Sequence, residues 1–408
     1  MNEAIETETV THISGLVAPG YEVVRDAFVQ NFEQRLEIGA CVSVYRHGEP
    51  VIDLWGGQTD PQGTRPWSKD TVTLVYSATK GATATLFNMM HQSGDLNLDR
   101  SVASYWPEFA AHGKSDFSIR DLLSHQVGLA ALEHELSREE LLDGTRVAAH
   151  LANQAPLWRP RTGLGYHALT FGWLTGELMR RITGRSLGNV FAEKIARPLG
   201  LDFWIGFPES HRRQFAPLVD GTPDPDELTK IAHPDVRAAV ERLIITLSDP
   251  TTLFSRVLTT NQVLPTPHAQ TWNDQSILEA EQPAANGVTN ARALARMYAS
   301  CLGEVDGVRL LNDEIVDAAT NEQCSGEDAV LTSFSRFGTG YQLPQPAVPM
   351  LGPTSFGHAG AGGAIGFADR ETGIGFGYVS NLLTASMANE RRAGNLIAAL
   401  KTAVEQQP

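Results

Sequence analysis

Between Asp70 and Asp95 the chain reads TVTLVYSATKGATATLFNMMHQSG, and Lys80 is the only Lys, Arg, Asp or Glu in that stretch. Val72, Leu74 and Tyr76 alternate as a short strand approach, and small and apolar residues then run from Ser77 to Met90 before Gly94 supplies a helix stop. A helix that is apolar or small nearly all round has to be enclosed on every side. The chain must therefore build layers around it. A lone lysine inside such a helix is costly unless it is paired, neutralised or used.

Ser77 falls at the N-terminus of this helix and Lys80 one turn on, on the same face, so hydroxyl and amine can meet. Burial and the positive end of the helix dipole both disfavour an ammonium there. A lysine of lowered pKa can take the serine proton at neutral pH, which would make Ser77 a nucleophile and Lys80 its base. The same residues also fit an N-cap serine followed by a snorkelling lysine, and this stretch alone does not separate the two.

The 408 residues are 42% hydrophobic and 19% charged, enough for one large or two intimate domains. A net charge of −15 repels phosphate backbones and leaves no basic footprint for nucleic acid or anionic membrane. Cys41, Cys301 and Cys324 are odd in number and far apart, with neither metal spacing nor a disulfide framework. No H-E-x-x-H, cysteine cluster or P-loop is present, so no metal and no cofactor are expected. The N-terminus is acidic, without a basic region followed by an apolar one, and no run of 18 apolar residues occurs. A cytoplasmic, unanchored protein is the expectation.

Residues 20–37 form an amphipathic helical pattern, and Cys41–Tyr45 and Val51–Trp55 flank Arg46-His47-Gly48-Glu49 as a β-hairpin. Ser118 caps a helix whose exit carries His125, read as structural. A helix spans Phe171 to Ile182 with Gly184 as its stop, and another runs from Leu187 to Ala196. Residues 208–283 are rich in proline and aspartate and read as an irregular excursion, a lid or pocket wall. Asn290–Cys301 is helical, Phe356–Ala368 and Ile374–Asn381 read as adjacent antiparallel strands, and a helix from Asn389 to Val404 closes the chain. The fold class is α+β, an α/β sandwich. One antiparallel sheet, from residues 1–75 and 285–408, would be flanked by the N- and C-terminal helices. A mainly helical part (76–284) would form the other side of a cleft.

Three segments in order, Ser77-Ala78-Thr79-Lys80, Tyr166-His167-Ala168 and His358-Ala359-Gly360, resemble the motifs of the serine β-lactamase and penicillin-binding-protein superfamily. The likeness is closest to class C β-lactamases and family VIII carboxylesterases, and extends from about Gly20 to Leu400. It implies an acyl-enzyme on Ser77, Lys80 as general base and Tyr166 assisting proton transfer. A phenol beside an ammonium would shift toward phenolate. It also implies an oxyanion hole from the backbone N–H groups of Ser77 and Ala361. His358, Gly360, Ala168 and Asn286 are the expected substrate-binding positions.

Two departures bear on substrate. Ala168 stands where class C enzymes have Asn, and His-Ala-Gly replaces the usual Lys-Thr-Gly. His358 is a weaker, pH-dependent cation and Ala359 lacks a hydroxyl, so neutral esters are favoured over anionic β-lactams. The expected activity is a serine carboxylesterase acting on small esters, without nucleic-acid or membrane partners and with the oligomeric state open. β-Lactam or amide hydrolysis, or acyl transfer, is the alternative from the same acyl-enzyme. A non-catalytic binding protein on the same scaffold is the third reading. Gly184-Arg185-Ser186-Leu187-Gly188 also fits the G-x-S-x-G elbow, but a helix rather than a buried strand precedes it. Ser186 is read as an N-cap.

Overall fold

Large and small residues alternate from Ile374 to Tyr378, which puts Ile374, Phe376 and Tyr378 on one sheet face and Gly375 and Gly377 on the other. In the computed structural model, which describes residues 12–159, 161–221, 241, 245–246, 249–383 and 391–406, this segment lies inside a six-stranded antiparallel sheet. Its strands are β1 (Ile13–Val17), β2 (Gly39–Arg46), β3 (Glu49–Gly57), β4 (Ser355–Ala359), β5 (Ile365–Asp369) and β6 (Ile374–Ser380), in the spatial order β1-β3-β2-β6-β5-β4. The longest described helices are α1 (Glu22–Glu33), α2 (Thr79–Gln92), α3 (Thr170–Thr183), α4 (Ala291–Leu302) and α5 (Arg391–Glu405).

The face of large residues is covered by α1 and α5, where Val24, Phe28, Leu396 and Leu400 pack with Phe367, Phe376 and Tyr378. The glycine face receives α4. A Cβ at Gly377 would collide with the Ala291 carbonyl, and one at Gly375 with the Ala295 carbonyl. Backbone proximity is thus what these strand glycines permit. Beyond α4 lies the helical remainder of the chain. A small sheet of Thr73–Leu74, Gly287–Thr289 and Phe203–Ile205 stitches the start of α2 to it.

The structure departs from the sequence reading in three places. Residues 356–368 are not one strand. Gly362 (φ +78°) and Gly363 (φ +97°) turn the chain, so that β4 and β5 form a hairpin with His358 opposite Gly366. Strand β1 is absent from the sequence reading; it pairs with β3 at the sheet edge, and its exposed interior Gly15 and Leu16 hide the alternation. The N-terminal helix ends at Glu33, because Arg35 adopts φ +56°. Asn389, the expected start of the last helix, lies outside the described residues, as do 222–240 within the 208–283 excursion. The described parts of that excursion bury Phe254, Leu258 and Trp272. No described helix is long and apolar enough to cross a membrane.

Candidate active site

The short strand Thr73–Leu74 leads into Tyr76, whose φ of +43° is uncommon for a residue with a side chain. Packing holds this strained turn: the Tyr76 ring is buried against Trp272, its hydroxyl accepts from the His268 N–H at 3.3 Å, and its carbonyl accepts from Thr79 Oγ1 at 2.5 Å. A single 3-10 turn (Tyr76–Ala78) follows and runs into α2. Within 71–80, Ser77 alone is not buried. The turn therefore presents this one side chain at the edge of the core.

Lys80 is fully buried, with Nζ 3.1 Å from Ser77 Oγ, 2.7 Å from the Ala168 carbonyl oxygen and 3.0 Å from the Ala284 carbonyl oxygen. Burial pulls its pKa well below the ordinary lysine value. A neutral amine has two N–H groups and one lone pair. The two carbonyls can only accept, so they take both N–H groups and leave the lone pair for the Ser77 hydroxyl. The amide lost at Ala168 is thus not needed to hold Lys80, since the main-chain carbonyl of that residue does so.

Tyr166 stands on the other side of Ser77. It has a side-chain hydrogen bond with Ser77, and its ring face lies under Lys80 Nζ, 4.8 Å from the centroid. Burial raises its pKa above the ordinary phenol value, which reverses the shift toward phenolate expected from sequence. The reason is that the phenol is itself buried, and burial of Lys80 disfavours the ammonium that would have stabilised a phenolate. Asp328, which sequence reading did not single out, fixes this loop: its Oδ1 accepts from the N–H groups of Tyr166 (3.0 Å), Val330 (2.8 Å) and Leu331 (2.9 Å). Nothing in the local sequence distinguishes it from a surface aspartate. Behind Tyr166, His125 Nδ1 accepts from the His167 N–H at 3.1 Å, and His167 Nε2 accepts from the Leu129 N–H at 2.9 Å. Burial lowers the His167 pKa to about 4. Both rings are neutral framework.

A cavity opens over Ser77, lined also by Tyr166, Ala168, Gly360, Ala361 and Phe254, and among the described residues no charged side chain lines it. Gly360 serves the approach of backbone to backbone: a Cβ there would run into the Val75 carbonyl. Ser77 and Ala361 each lie in the first turn of a 3-10 segment, where N–H groups have no intrahelical acceptor. Two expected substrate-binding residues do not face this cavity. His358 is wholly buried, donates from Nδ1 to the Ala359 carbonyl at 2.7 Å, and has its pKa lowered to about 3, chiefly by burial. It is no cation for a substrate, because alternation along β4 aims Ala359 at the cavity and His358 inward. Asn286 is also buried; its Oδ1 accepts from the Gln282 N–H at 3.0 Å and its Nδ2 donates to the Ile277 carbonyl at 2.9 Å. It pins the turn that offers the Ala284 carbonyl to Lys80. Ser186 lies outside the cavity and donates to Glu281 Oε1 at 2.5 Å; it holds the N-cap position of its helix without a side-chain cap bond.

The family model described as Beta-lactamase matches residues 28–400. The chain is 36% identical over 386 residues to "Esterase/beta-lactamase LipL" of Mycobacterium tuberculosis, covering 94% of this chain and 86% of that one. Among solved structures, a family VIII carboxylesterase superposes with a TM-score of 0.83 at 35% identity, covering 95% of this chain and 98% of the other. A penicillin-binding protein homolog from Caulobacter crescentus superposes with a TM-score of 0.80 at 32% identity, covering 96% and 100%.

Proposed function

The chain belongs to the beta-lactamase family, and from that premise we propose that it is a serine carboxylesterase that cleaves neutral esters through an acyl-enzyme on Ser77. A hydrolase of the β-lactamase-like type is what its esterase relatives support. The observation that carries the finer reading is the amine of Lys80, whose two carbonyl partners leave its lone pair to Ser77 Oγ. In this mechanism Lys80 takes the Ser77 proton as Oγ adds to the ester carbonyl carbon. The oxyanion that forms is met by the N–H groups of Ser77 and Ala361. Tyr166, kept protonated by burial, gives its proton to the departing alkoxide, and the Lys80 proton restores it. Water then adds to the acyl carbon, giving a proton back through Lys80, and Ser77 Oγ leaves reprotonated with release of the acid. Lys80 is thus the base and Tyr166 the acid in acylation.

Hydrolysis of p-nitrophenyl butyrate by the Ser77→Ala and Ser186→Ala variants tests the assignment. Ser77→Ala is expected to abolish turnover and Ser186→Ala to leave it nearly intact. The opposite pattern would sink the reading.

A further inference from the structure

The turn that carries Ala361 is tied to the far side of the sheet by one arginine. Arg392 is the second residue of α5 as described and is 1% exposed. Its Nη2 donates to the Gly362 carbonyl at 2.7 Å. Its Nη1 donates to Ser380 Oγ and to the Leu382 carbonyl, both at 3.0 Å, and lies 3.3 Å from Glu37 Oε2. Glu37 is in turn held by the hydroxyls of Tyr378 and of Ser380, the latter at 2.7 Å. The guanidinium fork therefore spans the end of β6 and the turn between β4 and β5. A buried cation and carboxylate so fully hydrogen-bonded form a fixed point. Within the turn, the Gly363 N–H donates to the Gly360 carbonyl at 3.2 Å, so the peptide that Arg392 grips is bonded to the peptide that carries the Ala361 N–H. Gly362 and Gly363 both sit at positive φ, where glycine is the residue at least cost.

We propose that Arg392, held by Glu37, is a positioning residue for the oxyanion turn: by gripping the Gly362 carbonyl it sets the direction of the neighbouring Ala361 N–H toward the oxygen that develops charge on Ser77. This rests on the reading of Ser77 and Ala361 given above. Arg392 touches no reacting atom, and its effect passes through the turn.

The test uses Arg392→Lys, which keeps a cation beside Glu37 but lacks the fork that reaches both sides at once. Two quantities are read: steady-state hydrolysis of p-nitrophenyl butyrate, and the affinity of phenylboronic acid, followed by thermal shift. The boronate forms a tetrahedral adduct on a serine and places an oxygen where the oxyanion would be. The variant is expected to lose about tenfold to a hundredfold in kcat, with KM changed less than about threefold, and to bind the boronate weaker by a similar factor. Leu400→Ala, a cavity in the same helix away from the turn, is expected to lower the unfolding temperature while leaving kcat and boronate affinity within about twofold. If Arg392→Lys does not fold, Glu37→Gln combined with Arg392→Met, which removes both charges of the pair, carries the same measurement. Unchanged kcat and boronate affinity, or a fall in kcat with boronate affinity intact, overturns the proposal. A wild type that binds the boronate but hydrolyses no ester sinks the ester reading and leaves the positioning test in force. A wild type that binds no boronate overturns both.

Discussion

At the scale of single residues, the proposed chemistry rests on one desolvated amine. Lys80 has no ion-pair partner among the described residues, and burial pulls its pKa down. The sign of the pH dependence follows. The base must be unprotonated, so kcat/KM should rise as pH climbs through the depressed Lys80 pKa, well on the acid side of an ordinary lysine. Lys80→Ala should remove that limb and lower kcat by about a thousandfold while the protein stays folded. A pH–rate series on wild type and variant checks this, and a limb that survives in the variant would return Lys80 to a structural role. Sequence made the pairing of Ser77 with Lys80 legible because both sit in one helical turn. The Ala284 carbonyl, Asp328 and the inward aim of His358 were not legible. Each depends on a distant segment or on which face of a strand meets the core.

At the scale of elements, the sheet owes its closeness to α4 to missing side chains. At Gly375 a Cβ would be forced against the backbone of Ala295 and Ala299, which cannot rotate aside. Gly375→Ala should therefore destabilise the protein by about 1–3 kcal/mol, read as a lower urea midpoint. An unchanged midpoint would show that α4 has room to shift. The strand glycines were visible in the sequence as places of close approach, and α4 was visible as an amphipathic helix opening at Asn290. Their contact was not, because alternation names two faces of a strand without saying what covers either. The same ambiguity merged β4 and β5 into one strand: a glycine-rich run reads as extended until its positive φ values are known.

At the scale of the whole molecule, charge and cavity point the same way. The net charge of −15 disfavours anionic substrates at a distance, and no charged side chain among the described residues lines the cavity over Ser77. An anionic β-lactam would have to bury its carboxylate without a partner. Nitrocefin should be turned over with a kcat/KM at least about a hundredfold below that of p-nitrophenyl butyrate. Lactam turnover rivalling that of the ester would show that a cation reaches the cavity in solution. From sequence, His358 is a weak carboxylate ligand because it is a pH-dependent cation. In the structure it is a matter of direction as well, since the ring is buried away from the cavity.

The sequence alone determined the buried helix, its serine and lysine, the tyrosine segment and the glycine-rich third segment, because each is written in contiguous residues by periodicity, by the absence of charge or by motif. Tertiary structure decided what those residues are able to do. It brought the Ala168 and Ala284 carbonyls to Lys80 and turned its lone pair toward Ser77. It kept Tyr166 a protonated phenol, and it anchored the Ala361 turn through Arg392 from the opposite end of the chain. Proton position and oxyanion geometry depend on desolvation and on contacts between remote segments, and neither exists until the chain has closed.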